Sequence, residues 1–136
     1  MGPAHGDELN LVEPGKNYGW PIVSNGDNYD GSVIPDHATR PEFAAPKWYW
    51  FPAISPSGFI FYQGNHFSEW RGNAFIGALS GETLVRLTFD GAKIKSEERI
   101  PVQRRIREVA EAADGAILLL SDGKEGELLQ LTKAAK

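Results

Sequence analysis

The chain has 136 residues, with 14 Lys and Arg against 18 Asp and Glu, three His, one Met and no Cys, which is the size of one domain or part of one. Its 41% hydrophobic and 24% charged residues exclude a disordered or fibrous chain and suit one core that buries roughly two-thirds of the unfolded surface. A net charge of −4 argues against nucleic acid as a partner, because general affinity for it comes from counterions released at basic patches. Without cysteine there is no disulfide framework, thiolate zinc site or catalytic thiol. No apolar run approaches the roughly 20 residues that span a bilayer, so no membrane partner is expected. The opening Met1-Gly2-Pro3-Ala4-His5-Gly6-Asp7 has neither the basic nor the apolar region of an export signal.

Residues 1–52 are rich in Gly, Pro, Asn, Asp and aromatic side chains with little strand alternation, and are expected to form a long structured loop region with short strands. Gly6-Asp7-Glu8-Leu9-Asn10-Leu11 and Gly15-Lys16-Asn17-Tyr18-Gly19-Trp20-Pro21 admit two readings. They could wall a site where carbonyls and Asp7 or Glu8 meet a hard cation and Tyr18 or Trp20 meets a planar ligand. They could equally be a turn-rich connection whose rings pack on the core. Asp27-Asn28-Tyr29-Asp30-Gly31 resembles the start of a calcium loop, but Ala38 stands where an EF-hand glutamate would fall, so it reads as a turn. His5, His37 and His66 lack metal-ligand spacing and are expected at the surface. Trp48-Tyr49-Trp50-Phe51 reads as core.

Residues 53–136 carry short apolar runs, each the length of a strand, at 59–62, 74–79, 84–89, 116–120 and 128–132. Ser80-Gly81, Asp90-Gly91, Asp114-Gly115 and Asp122-Gly123 punctuate them, as tight hairpin turns require. The pattern predicts an antiparallel meander. Gly72-Asn73-Ala74-Phe75-Ile76 through Leu84, Leu87 and Thr88 is echoed by Gly115-Ala116-Ile117-Leu118-Leu119 through Leu128, Leu131 and Thr132, 43 residues on at the start and 44 at the end. A strand-rich repeat of about 40–45 residues is the size of a four-stranded propeller blade. Two units fit, with 92–100 as an outer strand and 105–111 opening the second. Arg105 and Arg107 would share one face of that strand. They would suit an anion with several carboxylates or phosphates, or form a solvated face paired with Glu97, Glu98 or Glu108. No nucleophile elbow, Walker loop or dinucleotide fingerprint occurs in the sequence.

Taken in order, Gly6-Asp7-Glu8-Leu9-Asn10, Gly15-Lys16-Asn17-Tyr18-Gly19-Trp20-Pro21, Trp48-Tyr49-Trp50, Pro56-Ser57-Gly58, Trp70 through Leu79 and Arg105-Ile106-Arg107-Glu108-Val109 resemble the C-terminal part of the soluble PQQ-dependent aldose sugar dehydrogenases, the glucose/sorbosone dehydrogenase family. The resemblance implies an all-β fold: a partial β-propeller of about two four-stranded blades from a six-bladed parent, preceded by the loop region. It implies oxidation of an aldose at the anomeric carbon by hydride transfer to pyrroloquinoline quinone (PQQ), with calcium as Lewis acid. By the same resemblance Gly2 and Pro3 offer calcium their backbone carbonyls, Asp7 and Tyr18 belong to the cofactor pocket, and Arg105 and Arg107 pair with the cofactor's carboxylates. Leu79 and Ser80 stand where the family's Gly-Ala-Leu stretch meets the quinone, Ser80 replacing a lysine of some members.

No histidine matches the family's catalytic base, and Met1 falls where the pocket continues upstream with a glutamine. The expectation is a C-terminal fragment, inactive alone, from a parent that is periplasmic or secreted. The alternatives are a non-enzymatic scaffold in which three two-blade chains close a ring as a homo-oligomer, and a sugar-binding module built on the aromatic loops.

Overall fold

A computed structural model describes residues 2–133; the expectations at Met1 and over 134–136 lie outside the described residues. The chain divides into two compact units, Met1–Ile54 and Ser55–Lys136. Among the described residues every regular element is a strand or a single 3-10 turn, and no helix is long and apolar enough to cross a membrane.

The first unit is mostly loop. β1 (Asp7–Leu9) and β2 (Trp48–Trp50) pair antiparallel, with Asp7 opposite Trp50 and Leu9 opposite Trp48. Polar side chains satisfy the loop backbone in place of a ladder: Asn17 Oδ1 accepts from Gly19 N at 2.9 Å, and Asp30 Oδ1 accepts from Ser32 N at 2.9 Å and Ser32 Oγ at 2.6 Å. The expected turn at 27–31 is therefore an Asp-closed turn. Val23, Ile34, Trp50 and Ile54 are buried.

Two expectations fail in this unit. The aromatic run is not core throughout, because strand alternation buries Trp50 and turns Tyr49 outward, and Phe51 beyond the strand end is also exposed. Trp20 is exposed as well. His37 is not at the surface: a 3-10 turn (His37–Thr39) holds it buried, with Nε2 3.3 Å from Glu8 Oε1. That distance suits an ion pair, but the atoms are off the line of a hydrogen bond.

The second unit contains two successive meanders. β3 (Pro56–Phe61), β4 (Ala74–Ala78), β5 (Thr83–Asp90) and β6 (Lys93–Pro101) form one sheet in that order; β7 (Ile106–Glu111), β8 (Ile117–Ser121) and β9 (Leu128–Leu131) form the next. The fold is all-β and a partial propeller, with four strands in the first blade and three, among the described residues, in the second. Matching backbone bonds confirm the repeat. Leu79 N donates to Ser55 O at 3.0 Å in the first blade, and Asp122 N donates to Arg105 O at 2.7 Å in the second. At the other end Tyr62 N donates to Asn73 O and Gly72 N to Tyr62 O, as Ala112 N donates to Ala116 O and Gly115 N to Ala112 O. The blades differ chiefly in the connection at that end, 62–73 against 112–116.

Tyr62, Phe67, Phe75, Leu84, Ile106, Val109, Ile117 and Leu119 form the buried core between the sheets. The sheets also meet backbone to backbone along β3 and β7. A Cβ on Gly58 would press on Val109 N at 2.5 Å and Glu108 Cα at 2.7 Å, and one on Gly77 would meet Ile106 Cγ2 at 2.8 Å. Into this approach Ser57 Oγ donates, shared between Ile106 O at 2.5 Å and Gly77 O at 3.0 Å. At the far end the buried Tyr62 hydroxyl donates to Gly115 O at 2.6 Å and accepts from Phe67 N at 3.0 Å.

A methyl at Gly58 has no room against backbone atoms, so Gly58→Ala should cost about 2 kcal/mol by overpacking. Tyr62→Phe, which strands a buried carbonyl and amide, should cost about 1–3 kcal/mol. Urea unfolding checks both through the midpoint; wild-type midpoints would overturn the account of this contact.

Candidate functional site

The eight residues singled out by the sequence fall four to each unit. In the first, Gly2 and Pro3 lie in the bend that leads into β1, and Asp7 opens β1. Ala4 N donates to Asp27 O at 2.9 Å and Gly6 N to Trp50 O at 3.0 Å. Gly6 lies so close to 25–26 that a Cβ there would sit 2.5 Å from Asn25 C and Gly26 N. This short run is thus held from both sides. The structure brings Gly2 and Asp7 together, since a Cβ on Gly2 would lie 3.8 Å from Asp7 Oδ1.

Peptide carbonyls beside a carboxylate are hard oxygen donors of the kind calcium prefers. Among the described residues no three His, Cys, Asp or Glu side chains cluster as a metal site, so an ion held here would depend on backbone oxygens. Tyr18 is half-buried, and its hydroxyl serves its own loop, donating to Leu11 O at 2.7 Å and accepting from Glu13 N at 2.8 Å. What Tyr18 retains for a ligand is its ring.

In the second unit Leu79, Ser80, Arg105 and Arg107 gather at one end of the two sheets. The repeat explains the meeting, because Leu79–Ser55 and Asp122–Arg105 are corresponding backbone bonds of neighbouring blades. Leu79 is buried, and Ser80 is exposed with its Oγ 3.0 Å from Ser55 Oγ. Arg105 precedes β7, and the register of β7 on β8 slips between Ile106 and Glu108. This bulge spends two residues against one across the ladder. It buries Ile106 and Val109, three apart, while Arg107 and Glu108 stay exposed.

The three glutamates expected as partners have contacts of their own. Glu97 pairs with Arg99 and Glu98 with Arg86, and Glu108 accepts from Val109 N. Both arginines instead meet Asp122. Arg105 Nε and Nη2 lie 3.2 and 3.1 Å from Asp122 Oδ2, and Arg107 Nη2 lies 3.2 Å from Oδ1. The arginine side chains are 48% and 53% exposed, Asp122 29%.

Hydrogen bonds from Arg105, then from Arg107, with the charges of both, hold the Asp122 carboxyl below the usual aspartate range. A guanidinium carries five N–H donors, so each arginine keeps donors for a second carboxylate. The sequence alone marks Asp122 only as part of a turn. The available signal was the repeat, which aligns this Asp with the apolar Leu79 of the first blade.

His66 stands in 62–73, at the opposite end of the sheets, with Nε2 3.3 Å from Lys133 N. It therefore offers no base to the arginine pair.

Comparison with known proteins identifies the family and the fold. The glucose/sorbosone dehydrogenase family model matches residues 1–130. Aldose sugar dehydrogenase YliI of Escherichia coli is 38% identical over 137 residues, covering 96% of this chain and 36% of that protein. A crystal structure of a glucose dehydrogenase superposes with TM-score 0.90 at 43% identity, over 98% of this chain and 40% of that one. The PQQ-bound aldose sugar dehydrogenase of Streptomyces coelicolor shares the fold with TM-score 0.66 at 24% identity, over 97% of this chain and 38% of that one. The chain spans about a third of the length of the curated relatives it matches. With a family model matched over almost its whole length and blade geometry to suit, the chain belongs to the glucose/sorbosone dehydrogenase family.

Proposed function

We propose that this chain supplies part of the cofactor wall of a PQQ- and calcium-dependent oxidoreductase acting on aldose sugars at the anomeric carbon. The observation that carries the reading is the convergence of Arg105 and Arg107, half-exposed and with donors to spare, at the end of a blade in a member of this family. The bound quinone would supply the hydride acceptor, and calcium would strengthen it as a Lewis acid.

The chain's own residues would bind and orient. Arg105 and Arg107 take carboxylates in charge-assisted bonds. Leu79 offers an apolar contact and Ser80 a hydroxyl, a weaker partner than a cation. Gly2 and Pro3 give carbonyl oxygens, Asp7 a carboxylate and Tyr18 its ring. No residue described here is assigned the proton-abstracting role, so the 136-residue chain is expected to bind without turning over sugar. By resemblance the parent enzyme is periplasmic or secreted.

Titration of the purified chain with PQQ, followed by tryptophan quenching, is expected to give saturable binding that chelator weakens and Arg105→Ala weakens by at least tenfold, since a charged hydrogen bond is worth roughly 1.5–3 kcal/mol. No binding would overturn the cofactor reading, and aldose oxidation by the isolated chain would overturn its expected inactivity.

The Asp122 cluster yields a pH prediction. A carboxyl held below its unfolded value contributes stability above the ordinary aspartate range and loses it as pH falls through the lowered value. Carboxyl-carbon NMR should therefore place the Asp122 midpoint below that of a free aspartate; a midpoint at or above it would contradict the pairing.

A second reading, a scaffold of several copies closing a ring, is favoured by one observation. Leu120 and Leu128 lie directly opposite each other on β8 and β9 and are both exposed. It expects a trimer mass by light scattering at high concentration, and a monomer mass removes it.

A further inference from the structure

We infer that Asp122 is a positioning residue for the anion site, whose single carboxylate holds the guanidinium groups of Arg105 and Arg107 together as a preformed fork for a small polycarboxylate. This rests on the cofactor reading above for the ligand's identity, but the fork is a feature of the chain itself. An exposed arginine has roughly 2 kcal/mol of rotamer entropy to lose on being fixed. Two such side chains left loose would pass that cost to the ligand. Here the ordering is already done, because Oδ2 takes Nε and Nη2 of Arg105 while Oδ1 takes Nη2 of Arg107. One rigid, planar carboxylate thereby sets the separation of the two cations.

Asp122 stands on a firm base of its own. Its N–H donates to the Arg105 carbonyl at 2.7 Å, so the carboxylate and the first arginine share a backbone bond as well as a side-chain one. The preceding Ser121 is buried, and its Oγ accepts from Glu127 N at 2.8 Å. Arg104 Nε reaches Glu127 Oε2 at 2.9 Å and closes the 122–127 loop against the strand entering β7. The carboxylate acts through the arginines and needs no contact with the ligand.

A competing role gives the opposite sign. If Asp122 merely neutralised the arginines, or occupied donors that the ligand must win, removing its charge would raise the local charge from +1 to +2 and tighten anion binding. If it positions them, the same change weakens binding despite the added positive charge.

The experiment uses the full chain as wild type, Asp122→Asn and Asp122→Glu, with thermal unfolding to show that all three are folded. ¹⁵N relaxation of the arginine Nε–Hε groups should find Arg105 and Arg107 ordered in the wild type and loosened in D122N. PQQ titration, repeated with benzene-1,3,5-tricarboxylate, should find binding about tenfold weaker in D122N and partly recovered in D122E, as expected when the ligand must bear part of the ordering cost of the two arginines. Equal or tighter anion binding by D122N overturns the inference. Should the wild type bind neither anion, the cofactor reading fails and the relaxation data alone decide this one: arginines equally mobile in wild type and D122N would overturn it, and order lost only in D122N would uphold the fork.

Discussion

The second unit depends on the close approach of β3 to β7, where a shared serine hydroxyl bridges two backbones. Ser57 reaches Gly77 O on its own sheet and Ile106 O on the next, and neither Gly58 nor Gly77 leaves room there for a side chain. At the other end of the same contact Tyr62 binds the Gly115 carbonyl. Two hydroxyl-to-carbonyl pins with apolar packing between them fix the sheets in both position and phase. Hydrophobic burial supplies most of the driving force, but it is non-directional and would tolerate a slip that the pins do not.

Phase matters because the site grows from it. Both contacting strands are irregular at corresponding places, β3 between Pro56 and Phe59 and β7 between Ile106 and Glu108. In β7 the irregularity turns Ile106 and Val109 inward and leaves Arg107 outside, near Arg105. A regular strand would place Ile106 and Val109 on opposite faces. The bulge therefore reconciles an apolar anchor on each side with two cations at one end, and the 122–127 loop then meets them with a carboxylate.

The sequence shows the repeat and most strands plainly, because period-two burial and Asp-Gly turns act locally. Trp70, Gly72 and Asn73 illustrate a subtler legibility. They carry the family resemblance, yet Trp70 stacks on Phe67 at 4.3 Å and Arg86 bonds Asn73, which are roles in packing. Motif and site are not the same thing here. What stayed hidden depends on distant partners or on phase. His37 reads as a surface histidine until the fold brings Glu8 to it, and the run 48–51 reads as core until alternation splits it. The Asp122 contact is 17 residues from Arg105 in sequence, beyond any local rule, and only alignment of the two blades marks it as unusual.

The two blades share a corresponding backbone bond at the end bearing the arginines and diverge most at the other, where 62–73 is much longer than 112–116. The longer connection joins strands whose end bonds match those of the second blade, whereas the opposite end must keep its spacing for the fork to close. For protein engineering this makes the molecule polar: a fluorophore or grafted peptide belongs on the exposed Ser68–Glu69 turn, far along the strands from the charged end, where it can report on ligand without altering the distances that would hold it.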